Sequence, residues 1–594
     1  RLHTPAPHPP TPSPMTTHTF FWHDYETFGR DPRLDRPAQF AGIRTDLDLN
    51  EVGDLVMIYC QPAPDYLPDP EACLLTGIVP QTCLAEGLPE YRFADTILAE
   101  LGRDGTIGVG YNSIRFDDEV TRHLFWRTLR PPYDREFRNG CSRWDLLDVV
   151  RCTAALRPDG IEWPRNDQGR PSFKLEHLSA ANGLGHEQAH DALSDVRATI
   201  ALGRLIRERQ PKLWNFCLEL RSKHAVLKEI GEGRPFIHIS AMYGVERGAM
   251  AVVWPLAWHP TNKNELIVWD LAHDPAELLA LDAESLRQRI FTRGSELPEG
   301  MSRLPVYSLA INRAPVVIGN LKVLTPQVID RWQIDLGAIE RHTEAARRIS
   351  PQLSGLWPNV YQRPRRQGAG AGEHAPDVDG DLYGGFIGND DRRRLDDWRA
   401  RVDAAGMLLT GASAGATAAT SPAGKTEPAD ASDAASATLQ GNTTHRNAAV
   451  HTDHGARTGV HDGHRHDTDG ARHDAGSTGA DHSTANQTPG DGSPATHLST
   501  IEIDHISVPS FEDPRLEELS FRYRARQFPA MLNAEEKQRW QKHCHSRLHE
   551  GADNALTLAA YADRLDDLNQ ALSPDNPTAQ RLLEALYDYG EQLA

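Results

Sequence analysis

Three short segments carry the residues best suited to chemistry. The first is Phe20-Phe21-Trp22-His23-Asp24-Tyr25-Glu26-Thr27. Side chains repeat every two residues along a strand, so Asp24 and Glu26 share one face. An apolar run feeding into Asp-x-Glu brings two carboxylates together, and like charges so close repel unless a cation lies between them. Oxygen ligands of this kind suit Mg²⁺ or Mn²⁺. Taken alone, a solvated acidic face on a strand is the commoner meaning of such a pair.

The second segment is Gly110-Tyr111-Asn112-Ser113-Ile114-Arg115-Phe116-Asp117-Asp118-Glu119, which follows the apolar run Ile107–Val109. A strand, a loop and a helix with an acid in its first turn would bring Asp117 to the same end of the sheet as Asp24. Capping and dipole stabilisation of a helix N-terminus by Asp117 and Asp118 is the competing explanation. The third segment is His190-Asp191-Ala192-Leu193-Ser194-Asp195, after the loop Asn182-Gly183-Leu184-Gly185 and before the helical run Val196–Arg207. It puts His190 at the helix start and Asp195 just inside. Each segment is weak by itself; it is their order that is specific.

The elements that must position these groups can be traced along the chain. Residues 16–210 alternate strand-like runs (Thr19–Trp22, Leu55–Cys60, Ile107–Gly110) with helical patterns (Phe93–Leu101, Glu119–Leu129, Ala192–Arg207), as in an α/β domain. Residues 211–365 carry short β-like runs at Pro235–Ser240, Ala249–Trp254, Glu265–Asp270, Leu304–Leu309 and Val316–Ile318, with a helix over Pro275–Ile290. They read as a smaller domain with a β-rich core. Helical pattern returns over residues 380–405 and 505–594, including Asp390–Ala404 and Arg515–Gln527. Between them, residues 406–500 are mostly Ala, Gly, Thr, Ser, Asp and His, and no Phe, Trp or Tyr occurs between Trp398 and Phe511. Such a composition cannot bury enough apolar surface to offset ordering, so this stretch is expected to be a disordered insertion in a helical third domain. Its nine histidines from His445 to His497 could bind transition metals, but a solvated linker is the simpler reading.

Bulk properties exclude several classes. At 594 residues the chain has room for roughly three or four domains. No run of apolar residues is long enough for a transmembrane helix. Residues 1–15 are Pro-rich and lack the apolar core of a signal peptide, so they read as a disordered extension, with Met15 a candidate natural start. The seven cysteines are odd in number and scattered, with no CxxC, which argues against a disulfide framework or zinc site and fits a reducing cytoplasm. No GxGxxG follows a strand, which disfavours a dinucleotide-binding enzyme. The net charge of −20 runs against the basic footprint expected of a nucleic-acid binder. A basic cleft can still sit on an acidic protein, and a carboxylate metal site starts negative.

Asp-x-Glu, then Asp, then His-x4-Asp resembles the DEDD exonucleases, in the subclass whose last motif carries His, with no departure at the five positions. The resemblance narrows further. Phe21–Phe28, Arg36-Pro37-Ala38-Gln39-Phe40-Ala41, Arg115–Arg122, Ser142–Val150, Leu156–Gly160, Phe173–Leu178 and the distant Phe521–Pro529 are similar to the bacterial exonuclease I family. That family implies an RNase H-like α/β nuclease domain, an SH3-like β-rich domain and an α-helical C-terminal domain, arranged as a C-shaped clamp. It implies processive 3′→5′ hydrolysis of single-stranded DNA to 5′-mononucleotides, in DNA repair and recombination, by a monomer.

The resemblance also assigns roles. Asp24, Glu26 and Asp195 would hold one Mg²⁺ and Asp24 with Asp117 a second, Mn²⁺ substituting; His190 would be the general base. Glu26 would read the terminal 3′-OH. Lys174 stands where the family commonly has Arg, and it keeps the charge for phosphate but loses bidentate geometry. Arg122, Tyr133, Phe137 and Arg151 match positions that contact single-stranded DNA, a task that suits stacking aromatics and phosphate-pairing arginines. Core packing or solvated charge are the plainer roles for these four. Arg157 and Arg234 are candidates to bind the acidic, Phe-ending tail of the single-stranded DNA-binding protein. The rival functions are an RNA-directed or proofreading 3′–5′ exonuclease and an inactive single-strand-binding clamp. The first would lack the later domains, and the second would need a lost carboxylate.

Overall fold

A computed structural model describes residues 18–185, 191–362, 377–409, 506–572 and 576–594. The proposed N-terminal extension, nearly all of the 406–500 insertion and His190 lie outside these residues.

The N-terminal region is built on a mixed sheet of β1 (Thr19–Thr27), β2 (Pro37–Thr45), β3 (Val56–Tyr59), β4 (Thr106–Gly110) and β5 (Ser142–Asp145), in the order β3-β2-β1-β4-β5. Strands β1, β4 and β5 run parallel, while β2 and β3 add antiparallel to the other edge of β1. The alternation in Phe20-Phe21-Trp22 dictates which helices cover which face. Phe20 and Trp22 pack with Val196 and Ile200 of the helix Ala192–Arg209 and with Val149 and Val150 of the helix Leu146–Leu156. Phe21 and Tyr25, on the opposite face, pack with Phe93 and Ile97 of the helix Glu90–Leu101 and with Val120 and Leu124 of the helix Asp117–Arg127. Asp24 and Glu26 continue the Phe20–Trp22 face, so both carboxylates fall under the Ala192–Arg209 helix. That helix lies close because Gly203 meets the sheet: a Cβ there would sit 3.1 Å from the Trp22 ring.

A second, antiparallel sheet has the order β10-β6-β7-β8-β9, with β6 (Phe236–Ile239), β7 (Met250–Trp258), β8 (Glu265–Asp270), β9 (Val306–Ala310) and β10 (Val316–Ile318). The five β-like runs expected between residues 211 and 365 correspond to these strands. The expected Pro275–Ile290 helix is two pieces: a 3₁₀ turn over Pro275–Ala280 and an α-helix over Ala283–Phe291. Asp282 breaks it by capping the second piece, its Oδ1 accepting the Ser285 N–H at 2.8 Å. The apolar core runs without interruption from Phe20 and Trp22 through Trp254 and Trp269 to Tyr361, so the first two sheets share one interior.

The helices Asn389–Leu409 and Pro514–Gln527 lie on either side of the insertion and pack together through Leu395, Trp398, Leu516, Leu519 and Tyr523, against Tyr91 and Trp126 of the first domain. Further helices over Ala534–Glu550, Leu558–Ala571 and Pro577–Leu593 complete the C-terminal part. All seven cysteines are free. No helix among the described residues is long and apolar enough to cross a membrane.

Buried charge ties the C-terminal helices to the nuclease sheet. Asp65, with no exposed surface, accepts from Arg526 at both oxygens (3.0 and 2.6 Å) and lies 3.3 Å from His543. Arg526 also grips Asp379, which pairs with Arg36 at 3.0 Å. Burial pushes the Asp65 carboxyl up, but Arg526, the His543 hydrogen bond and Arg36 together outweigh it and hold it well below the usual range. Removing one partner from such a set strands the other charges in the interior. Asp65→Ala is therefore expected to cost about 3–5 kcal/mol in denaturant unfolding, with Asp65→Asn intermediate; an Asp65→Ala chain as stable as the parent would refute this role.

Candidate active site

Strand β1 is central in its sheet, and its last turn of side chains carries the acids. Asp24, Glu26 and Asp195 each present a carboxylate oxygen within 4.8 Å of the others. Asp24 and Asp195 are half-buried and Glu26 is buried. Asp195 belongs to the first turn of the Ala192–Arg209 helix, which Asp191 caps by accepting the Ser194 N–H at 3.1 Å. Asp117 opens the Asp117–Arg127 helix, where it is buried and its Oδ1 accepts the Tyr25 N–H at 3.2 Å, between the two β1 acids in sequence. No side chain caps that helix; its N-cap is Phe116. Capping is thus not the role of Asp117 or Asp118. Three of the four expected metal ligands form one group, and the fourth, Asp117, stands beside Asp24.

The electrostatics separate these acids from their neighbours. Burial raises the Asp24 carboxyl well above the carboxylate range, and the charges of Asp117, Glu26, Asp195 and Asp191 raise it further. Glu26 is pushed up to about 8, by burial first and then by Asp195 and Asp191. Burial and Asp118 raise Asp117. Among the described residues, neither Asp24 nor Glu26 has a Lys or Arg partner. Asp118 is the contrast: burial opposes its charge, yet Arg135 and Arg143, at 2.5 and 2.9 Å, hold it well below the usual range. Acids that must stay charged in the interior of this chain are given arginines, whereas the Asp24 group is left to take protons or a cation. Its all-oxygen donor set fits a hard divalent ion.

Supporting contacts that the sequence reading did not single out fix the loop before Asp117. Asp145 Oδ1 accepts the N–H groups of Asn112 (2.9 Å) and Leu147 (3.0 Å), and its Oδ2 accepts that of Ile114 (3.3 Å). Asn112 takes the left-handed φ of 65° that starts the turn. An Asp just before a helical run is a cap signal, and only the fold reveals its second use.

The expected DNA contacts divide. Phe137 is 49% exposed between two 3₁₀ turns, as a stacking platform requires. Lys174 is exposed, with Nζ 3.2 Å from Glu176. Tyr133 is half-buried, its ring 5.4 Å from the Arg122 guanidinium. Arg122 is 3% exposed and donates to Glu136 (2.7 and 2.9 Å), Glu119 (2.7 Å) and the Tyr383 hydroxyl (3.3 Å). Among the described residues these bonds engage four of its five N–H donors. Arg151 is largely covered and held by Asp148 at 2.6 Å. Arg157 ends the Leu146–Leu156 helix with its Nη1 on the Leu156 carbonyl, and Arg234 is exposed, donating to the carbonyls of Lys228 and Glu229.

Comparison with known proteins agrees with this architecture. Residues 21–202 match the family model described as Exonuclease, residues 221–363 the Exonuclease I SH3-like domain and residues 495–593 the Exonuclease I C-terminal domain. The chain is similar to exodeoxyribonuclease I of Escherichia coli K12, at 36% identity over 97% of this chain and 98% of that one. It superposes on the E. coli exonuclease I structure in complex with a dA16 oligonucleotide with a TM-score of 0.73 and 34% identity, over 97% of this chain and all of that one. A structure of SSB/exonuclease I in complex with an inhibitor gives 0.71 and 34%, with the same coverage. An exonuclease domain of this kind implies dependence on a divalent metal, and the acidic group supplies a place for it.

The raised carboxyls make that dependence measurable. Burial and the neighbouring acids push Glu26 up to about 8 in the metal-free folded chain, against 4.5 for a free side chain. The folded state therefore holds the extra proton between those values, and this contribution to stability, complete below the lower one, is lost as pH rises through the upper. The melting temperature of the metal-free protein should fall from about pH 5 to about pH 8.5, and less steeply in Glu26→Gln. Divalent metal should stabilise more at the alkaline end, where it displaces fewer protons. An unchanged slope in Glu26→Gln would exclude this linkage.

Proposed function

The chain belongs to the exodeoxyribonuclease I family and is a DNA exonuclease; from that premise we propose that Asp24, Glu26, Asp117 and Asp195 hold two Mg²⁺ ions and that the chain hydrolyses single-stranded DNA processively from its 3′ end. The single observation that carries the site assignment is the trio of carboxylates within 4.8 Å, two of them without a basic partner among the described residues. When bound, a pair of divalent ions lowers the pKa of water and neutralises charge on the scissile phosphate, which is the chemistry phosphodiester hydrolysis needs.

The chain's own residues do the rest. Asp24 groups with Glu26 and Asp195 and also feels the charge of Asp117, so it is the acid that would be shared between the two ions. Glu26, next to the end of β1, would accept the terminal 3′-OH. His190, as general base, removes the proton from the attacking water. Phe137 stacks on a base and Lys174 meets phosphate, contacts that do not read sequence. The structure solved with dA16 supports single-stranded DNA as substrate. A clamp formed by the nuclease, SH3-like and helical parts would enclose one strand and give processivity.

The single-stranded DNA-binding protein is the proposed partner, supported by the SSB/exonuclease I structure. A cavity of about 230 Å³, lined by Met250, Trp332, Ile334 and Ile339, offers an apolar floor, and Arg247 on its wall is paired with Asp270 at 2.6 Å. Trp332 donates to the Ala155 carbonyl at 2.9 Å, which sets the cavity next to the helix that Arg157 ends. The apolar floor suits the terminal aromatic of a short acidic tail, and Arg157 would meet its acidic part.

A time course on 5′-labelled DNA tests the activity. Shortening from the 3′ end of single strands, absent with EDTA and absent on duplex, is expected; preference for RNA, or binding without cleavage, would refute it. Asp24→Ala and Asp195→Ala should each lose more than about a hundredfold in rate, beyond what loss of an outer-shell contact costs, with DNA binding retained. Phe137→Ala should weaken single-strand binding by about 1–3 kcal/mol in fluorescence titration and leave the maximal rate unchanged; a change in rate alone would remove it from the DNA path.

A further inference from the structure

Gln39 belongs to the Arg36–Ala41 segment, for which neither the metal cluster nor the DNA path has a use. It sits on β2 directly across from Glu26, so its side chain points to the face that bears the acids. Further along β2 that face carries Ala41 and Ile43, opposite Asp24 and Trp22, and both pack in the apolar core. Gln39 is thus a primary amide in a row that otherwise carries Pro37, Ala41, Ile43 and Thr45, and it is only 1% exposed. A primary amide buried in such a place must have its hydrogen bonds met. Both halves are met by the same short stretch: Oε1 accepts the Ala192 N–H at 3.1 Å, and Nε2 donates to Asp191 Oδ1 at 3.5 Å.

Those partners open the helix that carries Asp195. The first N–H groups of a helix have no partner within it. Asp191 satisfies that of Ser194, and Gln39, from the sheet, satisfies that of Ala192. We infer that Gln39 is a positioning residue that ties the first turn of the Asp195 helix to the sheet carrying Asp24 and Glu26, and so sets the carboxylate spacing on which metal binding depends. The inference rests on the metal-nuclease reading of that cluster. A clamp at Ala192 acts one turn from Asp195, and displacements of about 1 Å at a reacting centre can cost a hundredfold.

The experiment uses the full chain with Gln39→Met, which keeps the length and loses both hydrogen bonds, and Gln39→Glu, which keeps an acceptor for Ala192. Three readouts are taken: hydrogen exchange by mass spectrometry over Asp191–Ser194, Mn²⁺ binding without DNA by electron paramagnetic resonance, and steady-state kinetics on single-stranded DNA. Gln39→Met should exchange at least about tenfold faster in that turn and at the parent rate elsewhere. Its Mn²⁺ midpoint should rise about tenfold, and kcat should fall about tenfold or more with KM for DNA within about twofold of the parent. Gln39→Glu should keep Ala192 near the parent's exchange rate, and it carries the test if Gln39→Met does not fold.

Parent-like exchange in Gln39→Met, faster exchange with an unchanged Mn²⁺ midpoint, a rise in KM alone, or exchange in Gln39→Glu about tenfold faster than in the parent would each overturn the inference. Asp24→Asn separates the two readings. It should lose Mn²⁺ binding while Ala192 stays protected; parent-like Mn²⁺ binding in that variant would sink the metal assignment and leave the clamp standing.

Discussion

Mutual repulsion among closely grouped, largely covered carboxylates is the constraint around which this fold is arranged. Asp24, Glu26 and Asp195 cannot all be charged within 4.8 Å of one another without a cation, and the chain supplies no arginine or lysine to Asp24 or Glu26 among the described residues. Holding such a group together requires elements that do not yield. Strand β1 is flanked on both sides in the sheet, Phe20 and Trp22 anchor one face and Phe21 and Tyr25 the other, and the Asp195 helix is drawn close over Gly203. The rigidity bought by that packing is what lets the site stay poised for metal rather than spreading apart.

The rest of the molecule treats buried charge in the opposite way. Asp118, Glu119 and Glu136 are met by Arg122, Arg135 and Arg143, and Asp65 and Asp379 by Arg526 and Arg36. These pairs join distant parts of the chain: Arg36 and Asp65 come from the first domain, and Arg526 comes from beyond the insertion. Many arginines of a chain with net charge −20 are therefore structural. That explains why the basic residues assigned to DNA by motif divide into exposed ones, such as Lys174, and interior ones, such as Arg122.

Secondary structure was legible where an apolar run or a helical period was strong. Phe20-Phe21-Trp22 announced β1, and the periodicity of Ala192–Arg207 announced the helix that carries Asp195. Strand β2 was not read as a strand, because all nine of its residues are buried and no period-two pattern survives. The helix expected over Pro275–Ile290 fails at Leu281-Asp282, since an Asp with its side chain free to bond the backbone stops one helix and caps the next. The interior partners of Arg122 were not legible for a related reason: an arginine on a helix face has the same letter whether it meets solvent or neighbouring carboxylates.

By itself, the sequence determined the chemistry: which acids, in which order, and on which side of β1 the first two lie, because strand alternation is a local property of the backbone. Only the tertiary structure decided which of those acids share one site, which arginines are spent inside, and that Gln39 reaches across from the sheet to the Asp195 helix. These are relations between residues up to several hundred positions apart. No local periodicity encodes them, and they exist only once the sheet and its helices have packed.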